Sequence, residues 1–413
     1  MKKYIFTFII LVSTMLTSFT ANAVLEIEVT GHTNDGYKIM IAPFPGSKII
    51  EADLIRSGRF VLVDPARANQ PLKMGGTLQA EPLQNSGAEY LVVGRAAGGL
   101  EFEILDVADG HRLAGYRVPA ASNLRRTAHK AADLIFQKLT NIRGAFDTRV
   151  AYVTANGSVR NPTFRLIVAD SDGHNPKTIL TSRKPILSPT WSPDAQNIAY
   201  VSYESGAPAI YIQNLRSGSK RKISGRPGMN NAPAWSPDGS RIAMSLSIDG
   251  KPDIFVQNAN GGALRPITHS RSIDTEPSWT SDGRTILFTS DRSGKPQLYK
   301  VPASGGTPTR VSYSGSYNSD PSVVGNKIAS VRQRGSVFNI AIKDLGTGQD
   351  RIVSSGQLDE SPSLAPNGTM VIYGSHAHGR SVLAVASDNG KAHQILYSQS
   401  GDVRDPAWSP YLR

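Results

Sequence analysis

The side chains most able to do chemistry in this chain do not form a recognisable catalytic set. There is no Cys among the 413 residues, which excludes disulfides, thiol nucleophiles and Cys-ligated metals. No Gly-x-Ser-x-Gly motif occurs, so the nucleophile elbow of α/β-hydrolases is missing. His376 and His378 have a spacing that would let them share a metal, but the neighbouring Gly374 and Gly379 favour a surface loop. We predict a protein that is not an enzyme and holds no metal or cofactor.

The most regularly spaced polar residues belong to a repeat built around Pro-x-Trp-Ser-Pro-Asp. Its copies centre on positions 191, 235, 279, 323, 364 and 408, at intervals of 44, 44, 44, 41 and 44 residues. This period, with short apolar strands and Gly-containing turns, is typical of a four-stranded β-propeller blade. Residues 149–153 match a second strand without a motif before them, whereas residues 406–412 have the motif with nothing after it. We predict that these segments join, which gives six blades closed by the C-terminal strand.

In such a propeller, the loop before each inner strand lies on the same face as the loop between strands two and three. The loops before the inner strands are rich in acidic, amide and Arg side chains, so they would form a polar ring around the channel mouth. A ring of this kind suits a protruding polar loop of another protein. Alternatively, each Asp, Asn or Thr before a Pro only caps its own turn. The predicted binding residues are Met229, Asn230, Asn231, Ala232, Asp274, Thr275, Glu276, Asn318, Asp320, Asp359, Glu360 and Arg404.

The first 23 residues have the features of an export signal. Two Lys at positions 2 and 3 precede a mostly apolar run over residues 4–16, and Ala21 and Ala23 form a small-x-small cleavage site. The run is too short to span a bilayer, and no later stretch is long and apolar enough to do so. We predict an exported protein that begins at Val24 after cleavage and does not span the membrane.

The charge balance is basic, with 45 Lys and Arg against 33 Asp and Glu. Removing the two signal lysines lowers the formal net charge from +12 to +10. A basic balance often indicates nucleic-acid binding. Here the export signal and the lack of basic runs interleaved with aromatic residues argue against it. An acidic partner and an anionic membrane surface both stay open as explanations of the charge.

Residues 24–147 lack the repeat and alternate predicted strands with predicted helices. One helix covers Ile49–Arg56, and a longer one begins at Leu124 with Ser122 or Asn123 as its cap. The fold class we predict is therefore a small α/β domain over residues 24–147, followed by an all-β six-bladed propeller over residues 148–413. The predicted strands of the first domain are Tyr37–Ala42, Phe60–Asp64, Tyr90–Gly94, Leu100–Leu105 and His111–Val118.

An export signal, a small α/β domain and a six-bladed propeller in this order resemble the TolB family of the Tol–Pal envelope system. The resemblance covers essentially the whole chain after the signal. It is carried by residues 136–146, 149–153, 359–373 and 406–412. The Trp-Ser-Pro-Asp-Gly repeat is less specific, because peptidase propellers share it. The connection over residues 43–47 is shorter than the family pattern.

The resemblance implies a periplasmic, non-enzymatic, monomeric adaptor that supports outer-membrane integrity and constriction at cell division. Its propeller face would receive the peptidoglycan-associated lipoprotein Pal, with contacts from Met229, Asn231, Ala232, Thr275 and Glu276. The family usually has His where Met229 stands, which implies tuning to this organism's own Pal. Further outer-membrane proteins are possible secondary partners. A propeller that binds a small ligand or glycan in its channel stays open as the alternative function.

The resemblance also implies that the mature N-terminal segment binds the inner-membrane protein TolA. Alternating apolar and acidic residues in this segment favour an extended strand, which could add to the edge of a partner's sheet. Alternatively, the segment is an ordinary edge strand of the α/β domain. The residues concerned are Val24, Leu25, Glu26, Ile27, Glu28 and Val29.

Overall fold

The computed structural model describes residues 27–28, 35–158, 160–248, 250–377, 379–396 and 401–412. The N-terminal part is the predicted α/β domain, built on one five-stranded sheet. Among the described residues, no helix combines the length and apolarity needed to cross a membrane. In chain order the elements are β1 (Ile27–Glu28), β2 (Tyr37–Ile41), α1 (Ser47–Arg56), β3 (Phe60–Val63), a 3₁₀ helix (Pro65–Ala68), α2 (Ala80–Asn85), β4 (Tyr90–Ala96), β5 (Gly99–Asp106), β6 (Arg112–Pro119) and α3 (Leu124–Thr140).

The sheet of the α/β domain has the order β3-β2-β4-β5-β6, and α1 and α3 pack together against its core. β2 runs parallel to β3 and β4, whereas β4, β5 and β6 are antiparallel. Helix α3 buries an apolar stripe that includes Ile135 and Phe136. It begins after Asn123, whose side chain accepts a 2.8 Å hydrogen bond from the N–H of Arg126. The structure thus selects Asn123 from the two predicted caps.

The predicted six-bladed propeller is confirmed over residues 149–408. Blade 1 contains β7 (Arg149–Ser158), β8 (Asn161–Asp170) and β9 (Lys177–Ser182), with its inner strand supplied from the C-terminus. Blade 2 comprises β10 (Ile186–Trp191), β11 (Asn197–Ser202), β12 (Ala209–Asn214) and β13 (Lys220–Ser224). Blade 3 comprises β14 (Asn230–Trp235), β15 (Arg241–Leu246), β16 (Asp253–Asn258) and β17 (Leu264–Pro266). Blade 4 comprises β18 (Asp274–Trp279), β19 (Thr285–Ser290), β20 (Gln297–Pro302) and β21 (Thr309–Arg310). Blade 5 comprises β22 (Asn318–Val324), β23 (Lys327–Arg334), β24 (Val337–Asp344) and β25 (Asp350–Ile352). Blade 6 comprises β26 (Glu360–Leu364), β27 (Met370–Ala377), β28 (Arg380–Ser387) and β29 (His393–Leu396).

The ring closes as predicted, through β30 (Asp402–Trp408), which pairs antiparallel with β7. Trp408 fixes the closure by donating its Nε1–H to Thr148 Oγ1 at 2.8 Å. The equivalent indole of Trp191 donates to the carbonyl oxygen of Ala407 at 3.0 Å, which ties blade 2 to blade 1. Closure gives β7 a partner on its inner side, so blade 1 leaves no unpaired strand edge facing the channel.

The inner strands begin earlier than the sequence predicts. We expected the strand of blade 3 to start at Pro233, with Asn230, Asn231 and Ala232 in the preceding loop. Instead, β14 starts at Asn230. The reason is a β-bulge between Asn231 and Ala234, which interrupts the ladder with β15 without ending it. Several predicted loop residues of the propeller face are therefore strand residues.

Candidate interaction face at the channel mouth

Backbone hydrogen bonds place the predicted loops on one face of the propeller. In four blades, a residue at the end of the second strand or just after it donates a backbone N–H to the loop before the inner strand. This confirms the expected pairing of loops around the channel mouth. The bonds run from Tyr203 to Pro185 (3.1 Å), from Ser247 to Met229 (3.2 Å), from Asp291 to Ile273 (3.4 Å) and from Gln333 to Tyr317 (3.2 Å).

Every inner strand carries the same bulge, and each bulge holds a non-glycine residue in the left-handed region immediately before a Pro. Such a conformation is uncommon for residues with a side chain and is disfavoured before Pro. Because it recurs in all six blades, it is a regular element of this fold and not a local irregularity. All six residues line one central cavity of about 300 Å³. They are Ser188 (φ 48°), Ala232 (47°), Glu276 (54°), Asp320 (53°), Ser361 (51°) and Asp405 (49°).

Three of these six channel residues are carboxylates that no Lys or Arg pairs with among the described residues. Glu276 Oε2 accepts hydrogen bonds from Thr289 Oγ1 at 2.7 Å and from the N–H of Asp320 at 2.8 Å. Asp405 Oδ2 accepts from the N–H of Ser188 at 3.0 Å. These contacts join neighbouring blades across the channel. They leave the carboxylates able to receive further hydrogen-bond donors or a cationic group.

Burial raises the pKa of Glu276, Asp320 and Asp405 above the ordinary carboxyl range. For Asp320, the charges of Glu276 and Asp405 raise the pKa further, because like charges around one channel disfavour ionisation. Burial and the charge of Asp405 also raise the pKa of Glu360, although His376 and Arg404 oppose them. The channel mouth therefore groups carboxyls whose ionisation is disfavoured by burial and, for Asp320 and Glu360, by neighbouring carboxylates.

Four of the predicted binding residues are fully buried and used internally. Asn230, Asp274 and Asn318 are 0% exposed, and Asp359 is 1% exposed. Each fixes the loop in front of its own inner strand, so the turn-capping alternative describes these four positions. Their bonds link Asn230 to Ser224 Oγ (2.6 Å), Asp274 to Arg292 (2.8 and 3.0 Å), Asn318 to Arg332 Nε (3.1 Å), and Asp359 to Ser354 Oγ (2.5 Å) and the Gly356 N–H (3.0 Å).

The other predicted residues remain accessible around the mouth. Met229 is 39% exposed, Glu360 is exposed, and the rest of the set is partly exposed. Beside Met229 the structure shows two exposed apolar side chains that we did not predict, Ile248 (42%) and Ile273 (44%). Their signal in the sequence is an isolated Ile within a polar loop of each unit. The accessible face thus combines an apolar side on blades 3 and 4, and the exposed Leu358 (51%) on blade 6, with a polar centre.

A second charged cluster, which the sequence did not reveal, lies between the α/β domain and blade 1. Asp53 and Arg56 from α1 meet His129 from α3, and all three side chains are at most 2% exposed. Arg56 donates to Asp53 at 2.9 Å, and His129 Nδ1 lies 2.6 Å from the other Asp53 oxygen. From the propeller, Ser171 and Asp172 complete the cluster: Arg56 donates to Ser171, and His129 Nε2 lies 3.4 Å from Asp172 Oδ2.

This interdomain cluster balances its own charges. Although burial alone would lower it, Asp53 and Asp172 raise the pKa of His129 to about 10. Conversely, burial opposes ionisation of Asp172, but His129, His174 and Arg56 hold its pKa well below the ordinary range. Arg125 forms a further ion pair with Asp172. The cluster therefore holds the two domains together through buried ion pairs.

Part of this cluster has the ligand types of a metal site, which the sequence analysis did not foresee. His129, Asp170 and Asp172 have ligand atoms within 4.8 Å of one another. However, Arg125 and the protonated His129 already supply the positive charge that Asp172 needs. Of the pair considered in the sequence, His376 lies in β27 and contacts Ser381 Oγ at 3.2 Å, whereas His378 lies outside the described residues.

The described part of the N-terminal segment pairs with the propeller. β1 lies antiparallel to β29, the outer strand of blade 6, with Ile27 opposite Gln394 and Glu28 opposite His393. The alternative of an edge strand in the α/β sheet is therefore wrong, because the described β1 extends blade 6 instead. Val24, Leu25, Glu26 and Val29 lie outside the described residues, as do the predicted cleavage positions Ala21 and Ala23.

Two family models match this architecture. The TolB amino-terminal domain matches residues 25–113, and the TolB beta propeller domain matches residues 136–412. The chain belongs to the TolB family. The expected resemblance is thus confirmed, together with the two-part fold.

Relatives and a solved structure agree with this assignment over nearly the full length. A Tol-Pal system protein TolB from Thioalkalivibrio sulfidiphilus is 54% identical over 95% of this chain and 95% of its own. The protein of the same name from Xanthomonas campestris pv. campestris is 48% identical, covering 96% of this chain and 95% of its own. The crystal structure of TolB from Acinetobacter baumannii superposes with a TM-score of 0.84 at 38% identity, covering 94% of this chain and 100% of that one.

Proposed function

We propose that this protein is a non-enzymatic periplasmic adaptor of the Tol–Pal system. The propeller face binds Pal, and the mature N-terminal segment, released by cleavage after Ala23, binds TolA. Through these two contacts the protein supports outer-membrane integrity and constriction at division. Membership of the TolB family, whose relatives carry the name of the Tol–Pal system, supports this role.

One observation at the propeller face carries the Pal proposal. Partly buried carboxylates without a cationic partner line the channel mouth, and the exposed apolar side chains of Met229, Ile248 and Ile273 lie on the loops beside it. Apolar anchors next to unsatisfied polar groups are the composition of a protein-binding hot spot. We assign the contacts to the accessible residues Thr275 and Glu276, among others. The hydrogen bonds of four buried residues hold the loops of this surface in place; these residues are Asn230, Asp274, Asn318 and Asp359.

The N-terminal part of the proposal is supported by the way β1 is held. Its described residues, Ile27 and Glu28, pair with β29, which is the outermost strand that blade 6 contributes itself. A strand added to an outer sheet edge can exchange that edge for another, because main-chain hydrogen bonds are alike on both. TolA would offer the competing edge.

The alternative of a small ligand or glycan in the channel finds less support. The lining of the central cavity, as far as the chain is described, consists of Pro, Ser, Ala, Thr and Asn residues with the carboxylates, and includes no aromatic ring. Sugar and ring-shaped ligands depend on aromatic surfaces for much of their binding energy. We therefore retain the protein-binding function.

The test is a calorimetric titration of the full chain with the soluble domain of Pal from the same organism. We expect one-to-one binding, which Thr275→Ala or Glu276→Gln weakens by about tenfold, the loss of roughly 1.4 kcal/mol. Matched controls are Thr347→Ala and Glu81→Gln, which are exposed and lie away from the channel mouth. A folded chain that does not bind Pal would refute the proposal.

For the second contact, deletion of residues 24–35 is expected to abolish binding of TolA. It should also change the affinity for Pal if β1 and the propeller face are coupled through blade 6. Both affinities are measured by the same titration. Unchanged binding of both partners would contradict the assignment of the segment.

A further inference from the structure

The blades differ in how far their middle hairpin extends beyond the inner strand. In blades 2, 3 and 4, the ladder between the second and third strands ends at the pair where the inner strand begins. In blade 2, for example, Ser202 pairs with both Ile186 and Ala209. In blades 1, 5 and 6, the ladder continues for three, two and three more pairs. Each pair adds about 3.4 Å, so these hairpins rise roughly 7 to 10 Å past the inner strands.

Blades 5, 6 and 1 are consecutive around the ring, so their extended hairpins stand side by side. We call this feature the hairpin wall and define it as the described residues within 156–163, 333–338 and 375–382. It borders one half of the channel mouth. The other half, on blades 2, 3 and 4, is bordered by loops without an extended ladder, and these loops include the exposed Ile248.

The hairpin wall carries charge of one sign. Each hairpin contributes one Arg, namely Arg160, Arg334 and Arg380, and the three segments contain no Asp or Glu. All three Arg are exposed. Within the described residues, their side chains form no hydrogen bond or ion pair. The nearby Asp402 lies at the base of the wall, where it accepts a 3.4 Å hydrogen bond from the N–H of Ser381.

The equivalent loops on the other half are balanced. Residues 203–208, 247–252 and 291–296 together hold three acidic and three basic residues. The positive charge of the wall is therefore a property of the extended hairpins and not of the face as a whole. Paired strands also hold the backbones of Arg334 and Arg380 in fixed positions, and Arg160 lies in the turn directly before β8.

We propose that the hairpin wall docks an acidic segment of the protein that binds this face, an inference that rests on the proposed function. A partner anchored on the apolar side at Met229 and Ile273 would lie between that side and the wall. Carboxylates on its flank would then meet Arg160, Arg334 and Arg380. Guanidinium groups bind carboxylates in a planar, bidentate geometry, so three of them in an arc also fix the orientation of the partner. Because the charges are exposed, their main effect is on the association rate.

The experiment measures association and dissociation rates of the full chain with the soluble Pal domain at low and high NaCl concentration. We expect the variant Arg160→Glu, Arg334→Glu, Arg380→Glu to associate on the order of tenfold or more slowly at low salt, with a much weaker salt dependence. The control variant Lys73→Glu, Arg216→Glu, Lys300→Glu makes the same charge change at exposed positions outside the wall. It should retain most of the rate of the parent chain.

The outcomes separate the two proposals. If the parent chain binds Pal and the wall variant keeps both its rate and its salt dependence, the wall proposal is overturned and the proposed function stands. If the parent chain does not bind, both fail. An equal loss in the wall and control variants would also overturn the wall proposal, because it would reflect net charge alone. Arg→Gln substitutions at the same three positions, with thermal unfolding to verify folding, replace the Glu variants if those misfold.

Discussion

The channel mouth and the interdomain cluster both withdraw carboxylates from water, but they treat the charge in opposite ways. Between the domains, Asp53 and Asp172 face Arg56, Arg125 and the protonated His129. At the channel mouth, the carboxylates face one another and backbone donors. The first arrangement is complete in itself and stabilises the protein. The second keeps a charge imbalance that a partner can relieve, which is why we place function there.

The largest expected effect is the loss of one partner from the interdomain cluster. Asp53→Asn leaves Arg56 and His129 buried without their shared counter-charge, and breaking a buried pair typically destabilises by about 3–5 kcal/mol. The measurement is the urea midpoint of unfolding. The control is Glu51→Gln on the same helix, whose partner Lys48 is 84% exposed and whose loss should change stability by about 0.5 kcal/mol or less. Equal urea midpoints for the two variants would show that the buried pairs of the interdomain cluster contribute no more to stability than an exposed pair.

The second prediction concerns pH and His129. Its pKa rises from 6.5 to about 10 on folding, so the folded chain holds this proton more tightly. The resulting stability is fully present below pH 6.5 and disappears as the pH rises through 10. His129→Gln should therefore destabilise by on the order of a few kcal/mol at pH 6, and by progressively less toward pH 10. Unfolding midpoints of both proteins across this range test it; a pH-independent difference would show that His129 is not charged in the cluster.

The third and smallest effect has the opposite sign and lies at the channel mouth. The pKa of Asp405 is raised on folding, so its contribution to stability is lost as the pH rises above the ordinary carboxyl range. Asp405→Asn should stabilise the protein at pH 8 by on the order of 1 kcal/mol, with the gain shrinking toward pH 4. Midpoints of thermal unfolding at both pH values provide the measurement.

A matched control for Asp405 is a carboxylate whose pKa shifts the other way. Hydrogen bonds from Ser236 and Ser240 lower the pKa of Asp238 to about 2. Its stabilising effect is present above its ordinary pKa and is lost as the pH falls through 2, so Asp238→Asn should destabilise at pH 8. If both substitutions change stability in the same direction, the channel carboxylates are not the unrelieved charges described here.

The sequence predicted those parts of the fold that repeat or follow local rules. The spacing of the Trp positions predicted the blades, and the incomplete units at both ends predicted that Trp408 closes the ring beside β7. The sequence narrowed the cap of α3 to Ser122 or Asn123, and the structure shows Asn123. By contrast, Asp53, His129 and Asp172 come from three separate elements with no shared spacing, so only their packing reveals the interdomain cluster. The channel bulges were missed because a Pro motif does not show that the residue before it adopts a left-handed backbone.

The placement of β1 shows the same limit. Alternation in the sequence predicted a strand but carried no information about which sheet edge would accept it. The answer depends on where an edge is left free, and the structure puts it at the outer strand of blade 6. A local sequence pattern cannot predict a contact that depends on the folded shape of another part of the molecule.

The closure by β30 has a consequence for how the chain matures. β7 precedes its pairing partner β30 by more than 240 residues, so the inner edge of blade 1 stays open until β30 has been synthesised. Such a pairing is as non-local as the propeller allows, which makes it a slow step of folding. Until that step, the unfinished ring exposes a sheet edge on which another chain can template. The unfinished chain is thus most prone to aggregation just before β30 is made, and the pairing of β30 with β7 removes the open edge.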